Sequence, residues 1–187
     1  MKIEKAIIDK VQSIEMPLII GVSGLGGAGK STFASLLSSV LDAPVIGVDS
    51  FMKNRTLTDY SLWEVMDFKR LEKEVLLPFL AGKNPIQYGH FDWGRNAIEE
   101  QRRVNHRGRV IIEGVGLFRP ELLRHFSYKI WVNCSIEKAI SRGKKRDRKE
   151  NQNSQDEYWD GIWKKNDQEY LDIFKPREIA DAVIDNC

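Results

Sequence analysis

GLGGAGKST, from Gly24 to Thr32, is the most informative stretch of this sequence. Four of its first six residues are glycine, and it follows the apolar run PLIIGVS at residues 17–23. A segment with helical spacing of apolar residues comes next, at 33–41. Glycines occur in this pattern where backbone N–H groups converge on phosphate oxygens, because side chains would block the approach. The spacing Gly-x-x-x-x-Gly-Lys-Ser is that of a Walker A motif.

The motif predicts a site for a nucleoside triphosphate. Contacts are expected from the whole stretch: Gly24, Leu25, Gly26, Gly27, Ala28, Gly29, Lys30, Ser31 and Thr32. Lys30 is expected to reach the β- and γ-phosphates as a point charge, and the Ser31 hydroxyl to bind Mg²⁺. The following helix adds free N–H groups and the positive end of its dipole. A glycine-rich turn with a chance lysine is the alternative, and the strand before and helix after disfavour it.

Short apolar runs alternate with helical periods along the 187 residues, which is typical of a parallel sheet covered on both faces. Strands are predicted at 17–23, 43–49, 109–114, 128–133 and 181–185. Helices are predicted at 33–41, from a capping box at Ser61 and Glu64 toward Leu77, at 136–149 and at 156–174. The polar, aromatic region 84–106 is predicted to be a loop over a site. One domain over residues 1–187 is expected.

Composition limits the range of partners. The net charge of +2 gives no support for a nucleic-acid or membrane partner, and no apolar stretch is long enough to span a bilayer. Cys134 and Cys187 do not make a disulfide framework, so a reducing compartment fits. The protein is therefore expected in the cytoplasm, and a homo-oligomer is left open.

Two acidic residues follow predicted strands. Asp49 ends the run APVIGVD and Glu113 ends RVIIE. In an open parallel sheet, ligands bind beyond the carboxyl ends of strands, so both acids are expected near the phosphates. A helix N-cap at Asp49 and a turn carboxylate at Glu113 are the simpler alternatives. The motifs Asp-x-x-Gly and Asn-Lys-x-Asp are missing, which disfavours a GTPase switch and leaves a small-molecule kinase or a nucleotide-binding regulatory protein.

Five segments together resemble the uridine kinase/phosphoribulokinase family of P-loop kinases. They are VSGLGGAGKSTFA (22–34), DSFMK (49–53), VIIEGVGLF (110–118), RGKKRD (142–147) and ADAVIDN (180–186). The resemblance implies a P-loop α/β fold with a five-stranded parallel sheet between helices and a small helical lid. It also implies ATP and Mg²⁺ as cofactors, Asp49 as the base that orients or deprotonates an acceptor hydroxyl, and Glu113 as a support for Mg²⁺.

By the same resemblance, the basic segment at 142–149 belongs to a lid at about 137–155. Arg142 and Arg146 match its Arg-x-x-x-Arg-Asp pattern and lie one helical turn apart, so they would close on the phosphates during catalysis. A solvated helix face or a nucleic-acid patch is the alternative. Gly143 stands where many members of the family carry a second arginine.

The acceptor side departs from the family pattern. SLWEVMD (61–67) replaces a segment of the form Asp-His-Pro-x-Ala-x-Asp, and FDWGRNAI (91–98) lacks the residues that read a uracil base. Phe91, Asp92 and Trp93 remain as candidate substrate contacts beside Asp49. A nucleoside such as uridine is the acceptor that the resemblance implies, with nicotinamide riboside, pantothenate and a sugar acid as alternatives.

Overall fold

A computed structural model of the chain describes residues 2–150 and 155–187. The strands are β1 (Leu18–Gly24), β2 (Val45–Gly47), β3 (Ile86–Asp92), β4 (Ala97–Val104), β5 (Arg109–Gly114), β6 (Tyr128–Asn133) and β7 (Ala182–Asp185). The helices are α1 (Lys5–Gln12), α2 (Lys30–Leu41), α3 (Phe68–Leu71), α4 (Leu77–Leu80), α5 (Pro120–Leu123), α6 (Ile136–Glu150), α7 (Asp156–Asp160), α8 (Ile162–Phe174) and α9 (Pro176–Ile179). The predicted lid includes 151–154, which lie outside the described residues.

Five strands form one parallel sheet in the order β2-β5-β1-β6-β7, as predicted. Every residue of the central strand β1 is buried, because helices cover both faces, and this explains its continuous apolar run. Glu113 in β5 is in register with Val22 of β1 and with Gly47 of β2. The carboxyl ends of these three strands therefore meet at one edge of the sheet.

Helix α2 begins at Lys30, directly after Gly29, whose φ of 96° lies in the left-handed region that favours glycine. Its buried face consists of Phe33, Ala34, Leu37 and Leu41, together with the Lys30 side chain. Leu36 and Val40, which fit the predicted apolar face, are exposed. The apolar stripe that packs on the sheet is therefore narrower than the sequence periodicity predicts.

The predicted capping box at Ser61 is wrong. The helix begins at Phe68, and its N-cap is Asp67, whose Oδ1 accepts a hydrogen bond from Arg70 N at 3.0 Å. A π-helical segment, Glu72–Leu76, joins α3 to α4. Residues 61–65 form turns instead of helix, because side chains from α8 hold this segment in another conformation, as described below.

The prediction of a loop at 84–106 is also wrong. β3 and β4 form an antiparallel hairpin with an irregularity between His90 and Phe91. Its inner face is apolar, with Ile86, Tyr88 and Phe91 buried. Arg70 ties the hairpin to the fold, since its guanidinium donates to Gly89 O and Ser50 O at 2.8 and 2.9 Å. The alternation of apolar and polar residues in these two strands is hard to recognise in the sequence, because several polar residues occupy the outer face.

Three further features complete the fold. The predicted helix 156–174 is divided at Gly161 into α7 and α8. Cys134 and Cys187 form a disulfide with their Cα atoms 5.1 Å apart, a pairing that the sequence analysis did not predict. Among the helices within 2–150 and 155–187, none has the length and apolar character needed to cross a membrane.

Candidate active site

A cavity of about 760 Å³ lies where the carboxyl ends of β1, β2 and β5 meet. The Walker A segment forms its floor through Gly26, Gly27, Gly29, Lys30, Ser31 and Thr32. Asp49, in the 3₁₀ turn Val48–Phe51 after β2, and Glu113 of β5 line the same cavity. The structure therefore brings together the phosphate-binding residues and the two acids that the sequence predicts.

Three residues of the Walker A stretch do not line this cavity. Gly24 ends β1, where an added Cβ would lie 2.6 Å from Val132 O, so its lack of a side chain serves packing. The carbonyl of Leu25 accepts from Lys30 Nζ at 2.8 Å, and that of Ala28 accepts from Asn186 Nδ2 at 2.7 Å. The structure places these three residues in support of the loop rather than at the cavity surface.

Gly27 is the residue of the phosphate-binding loop that lies against the predicted lid helix. Its φ is 79°, and an added Cβ would stand 2.1 Å from the carbonyl oxygen of Ala139 in α6. Both the backbone conformation and the close approach exclude other residues here. The loop therefore packs directly against the helix that carries Arg142 and Arg146.

Lys30 is the cation at the centre of the site. It is buried, with 8% of its surface exposed. Burial raises the pKa of three neighbouring carboxyls, those of Asp49, Glu113 and Asp167, and the charge of Lys30 opposes that rise. Its ammonium donates one hydrogen bond to the Leu25 carbonyl at 2.8 Å, which engages one of its three N–H groups. Because Lys30 lines the cavity, its remaining N–H groups and its charge can act on an anionic ligand there.

Asp49 is exposed where it lines the cavity. Partial desolvation by the protein around the cavity raises the pKa of Asp49 above its ordinary value of 3.8, while the charges of Lys30 and Arg146 act in the opposite direction. A carboxyl with a raised pKa that remains beside two cations has the character of a general base. Its side chain faces the cavity beside Lys30, so its position is more than that of a helix cap.

Glu113 combines burial with a neighbouring negative charge. Desolvation raises the pKa of Glu113, and Asp49 raises it further, while Lys30 and a hydrogen bond from Ser31 oppose the rise. The Ser31 hydroxyl donates to Glu113 Oε1 at 3.3 Å. Repulsion between two carboxyls beside a serine hydroxyl is relieved by a divalent cation.

The residues at Ser31 and Glu113 fit Mg²⁺. Both supply hard oxygen ligands, which Mg²⁺ prefers, and Mg²⁺ usually takes few protein ligands because waters and substrate phosphates supply the rest. Across 2–150 and 155–187, no group of three or more His, Cys, Asp or Glu side chains could hold a metal by itself. The site therefore suits a metal that arrives with a phosphorylated ligand.

Asp167 of α8 is a feature of this site that the sequence analysis missed. It is 2% exposed, and its Oδ2 accepts a hydrogen bond from the Gly26 amide at 2.9 Å. Burial raises its pKa from 3.8 to about 6, against the effects of Lys30 and of hydrogen bonds from Gly26 and Trp63. No motif marks this residue, since it lies 137 residues after Lys30 in an ordinary helical pattern.

The predicted lid helix contributes Arg142, Gly143, Arg146 and Asp147 to the cavity wall. Arg142 Nη1 donates a hydrogen bond to the carbonyl oxygen of Asn186, and Arg146 Nε donates to Asp147 Oδ1 at 2.9 Å. Trp159 and Trp163 also line the cavity as an edge-to-face pair with ring centroids 4.8 Å apart. These two aromatic side chains therefore form part of the cavity wall beside the predicted lid helix.

The structure separates the three predicted substrate residues of the hairpin. Trp93 lines the cavity and is 39% exposed. Phe91 is buried in the core, in edge-to-face contact with Trp93 at 5.7 Å between ring centroids. Asp92 Oδ1 accepts from Arg95 N at 2.9 Å, and this hairpin turn lowers the pKa of Asp92. Trp93 is the one of the three that lines the cavity, whereas Phe91 and Asp92 make contacts within the hairpin, so a substrate role for each stays a prediction.

Apolar side chains complete the cavity opposite the phosphate-binding loop. Met52 and Met66 are paired in an isolated antiparallel bridge, and Trp63 lies beside them. Arg55 lines the same region, with its Nη1 donating to Trp93 O at 2.7 Å. The sequence analysis assigned no role to Met52, Arg55, Trp63 or Met66, although Met52 lies in the segment DSFMK and Trp63 and Met66 lie in SLWEVMD.

Comparisons with known proteins agree with this geometry. A family model described as an AAA domain matches residues 20–160. The uridine kinase of Lactobacillus helveticus (strain DPC 4571) is 26% identical over 157 residues, which cover 76% of this chain and 74% of that protein. The predicted resemblance to uridine kinases is confirmed at this level.

Two solved structures share the fold. A possible uridine kinase from Bacillus stearothermophilus aligns with a TM-score of 0.72 at 22% identity, covering 96% of each chain. A proposed fructose transport system kinase from Silicibacter sp. TM1040 aligns with a TM-score of 0.76 at 20% identity, covering 96% of this chain and 95% of that one. The predicted P-loop α/β fold is confirmed.

Proposed function

The chain belongs to the P-loop protein family described as an AAA domain, and we propose that it is an ATP- and Mg²⁺-dependent kinase of a small molecule. The observation that carries this proposal is the position of Asp49, which lines one cavity with the Walker A residues and Glu113. A regulatory nucleotide-binding protein would need the phosphate site alone. An acid that lines the cavity under the influence of the Lys30 charge supports transfer to a hydroxyl.

In the proposed reaction, the acceptor oxygen bonds to the γ-phosphorus of ATP while the bond from that phosphorus to the β–γ bridging oxygen breaks. The hydroxyl proton passes to the Asp49 carboxylate, and the products are ADP and the phosphorylated acceptor. Lys30, Arg142 and Arg146 supply positive charge for the phosphates, with Arg142 and Arg146 in a lid proposed at about 137–155. Mg²⁺ held by Ser31 and Glu113 would neutralise further phosphate charge.

The names of the similar proteins favour a nucleoside such as uridine as the acceptor. A second class of acceptor is favoured by Arg55, which lines the acceptor side of the cavity. Among the described residues no carboxylate is paired with Arg55, so an acceptor with a carboxylate, such as pantothenate or a sugar acid, would find a charge partner there.

A panel of acceptors separates these proposals. ADP release would be measured with ATP, Mg²⁺ and uridine, nicotinamide riboside, pantothenate or gluconate, with neutral panthenol as the matched control for pantothenate. Turnover of uridine supports the nucleoside assignment. Preference for pantothenate over panthenol supports the anionic class.

Substitution of Asp49 tests transfer itself. Asp49→Asn is expected to lower kcat by about 10²- to 10⁴-fold, the usual contribution of a general base, with ATP affinity kept. Asp59→Asn, in an exposed position, is the matched control and should keep full activity. Unchanged turnover in Asp49→Asn, or no ADP release from the wild type with any acceptor, would favour the regulatory protein instead.

A further inference from the structure

Asp167 links the phosphate-binding loop at one end of the cavity to the wall that contains Trp63, Met52 and Met66 at the other. Its Oδ2 accepts from the amide of Gly26 in the phosphate-binding loop at 2.9 Å, and its Oδ1 accepts from Trp63 Nε1 at 3.0 Å. Gly26 and Trp63 both line the cavity, one at its phosphate end and one beside Met52 and Met66. One buried carboxylate thus holds a group from each half.

The segment that carries Trp63 is held in an uncommon conformation. Leu62 and Trp63 have φ values of 51° and 59°, in the left-handed region that side chains disfavour. Two side chains of α8 stabilise it: Asn166 Oδ1 accepts from Trp63 N at 2.6 Å, and Glu169 Oε2 accepts from Leu62 N at 3.1 Å. Helix α8 therefore fixes the backbone of this segment, and Asp167 fixes its indole ring.

A carboxylate is the group that these contacts require. Gly26 N and Trp63 Nε1 are both donors, so the side chain between them must accept at both of its terminal atoms. Asparagine could accept at one atom only and would present its amide hydrogens to the other donor. Glutamate is one methylene longer and would be compressed in this buried position.

We propose that Asp167 is a positioning residue for phosphoryl transfer, which sets the phosphate-binding loop and the acceptor wall at a fixed separation through Gly26 and Trp63. This inference rests on the proposed kinase activity. Asp167 contacts neither reacting atom in this proposal. It acts because the acceptor oxygen must meet the γ-phosphorus within a narrow range of distance, so a small relative displacement of the two halves slows the reaction.

A double-mutant cycle tests the link by kinetics. Asp167→Asn keeps a single acceptor and so loses one of the two hydrogen bonds that form the link, whereas Trp63→Phe loses the bond to the indole and keeps an aromatic ring. Each is expected to lower kcat/KM for the acceptor by about tenfold. Because both remove the same link, the double variant should be close to Asp167→Asn alone, instead of showing the product of the two losses.

Glu169→Gln is the matched control, since Glu169 holds the same segment from the same helix without contacting Gly26 or the indole. Its kcat is expected to stay within about twofold of the wild type. Thermal unfolding of every variant would separate loss of positioning from loss of fold. If Asp167→Asn does not fold, Trp63→Phe tests the link from the other side.

Proton–nitrogen correlation spectra give a readout that does not need activity. Trp63→Phe should shift the Gly26 amide signal, because the Asp167 carboxylate loses its hydrogen bond from the indole and keeps only the one from Gly26. Glu169→Gln should leave that signal in place. A shifted Gly26 signal in a protein that releases no ADP would mean that the kinase proposal fails while the link stands. The inference is overturned if Trp63→Phe leaves the Gly26 signal unmoved, or if the kinetic losses multiply.

Discussion

Gly143 of α6 and the indole of Trp159 are in direct contact, with no room for a side chain between them. A Cβ at position 143 would lie 2.3 Å from Trp159 Cζ2. The same helix also fixes the indole by a hydrogen bond one turn further on, since Trp159 Nε1 donates to Asp147 Oδ2 at 2.7 Å. This contact explains why glycine stands where the family resemblance leads one to expect arginine.

Gly143→Ala is therefore expected to destabilise the protein, although alanine is the better helix former. The added methyl group displaces Trp159, and overpacking of this kind costs about 1–3 kcal/mol, more than the helix propensity of alanine restores. Urea unfolding measures the change. Lys145→Ala, at an exposed position of the same helix, should stay within about 0.5 kcal/mol of the wild type. Equal or greater stability of Gly143→Ala would show that Trp159 does not pack here.

Lys30→Ala should weaken ATP binding by about 10- to 100-fold, because a charged hydrogen bond to phosphate is lost and three carboxyls remain beside the site. Isothermal titration calorimetry with ATP measures the loss. Lys69→Ala, an exposed lysine of α3, is the control and should bind as the wild type does. Normal ATP affinity in Lys30→Ala would remove Lys30 from the phosphate site.

Glu113→Gln should raise the Mg²⁺ concentration needed for half-maximal ADP release by about tenfold, as loss of a metal-supporting carboxylate commonly does. The Ser31 hydroxyl would keep a hydrogen-bond acceptor in the glutamine oxygen, so the change isolates the charge. A Mg²⁺ titration of the rate is the measurement, with Glu137→Gln at the exposed start of α6 as control. An unaltered Mg²⁺ requirement would argue against the metal-binding role.

The titration of Asp167 predicts how stability depends on pH. Its pKa is about 6 in the folded protein against an ordinary 3.8, so between these values the folded state binds more protons than the unfolded state. The contribution of Asp167 to the free energy of unfolding is therefore greatest below pH 4 and falls as pH rises to about 6. At about 1.4 kcal/mol per pKa unit, the loss is about 3 kcal/mol.

Urea unfolding of the wild type and Asp167→Asn at pH 4.5 and pH 7.5 checks this sign. From pH 4.5 to pH 7.5, the wild type should lose stability relative to Asp167→Asn. Asparagine does not titrate, and the other groups titrate alike in both proteins. A difference that stays constant with pH would contradict the raised pKa of Asp167.

Local sequence determined much of this protein. The Walker A segment, the strand before it and the helix after it depend on contacts between neighbouring residues, so their pattern predicted their structure. Asp49 and Glu113 could be placed at one edge of the sheet because parallel strands end together. The helix predicted at 136–149 followed from its periodicity and is present as α6, while its role as a lid stays a prediction from the family resemblance.

Tertiary structure decided the acceptor side. Residues 61–65 carry a helix-start signal, but Asn166 and Glu169, about 100 residues later, offer hydrogen bonds that stabilise a left-handed turn instead. The hairpin register turned Phe91 into the core and Trp93 into the cavity. Asp167 acquired its place only when α8 packed against the phosphate-binding loop. Such contacts join residues far apart in the chain, and the energy of burying them depends on partners that no local pattern specifies.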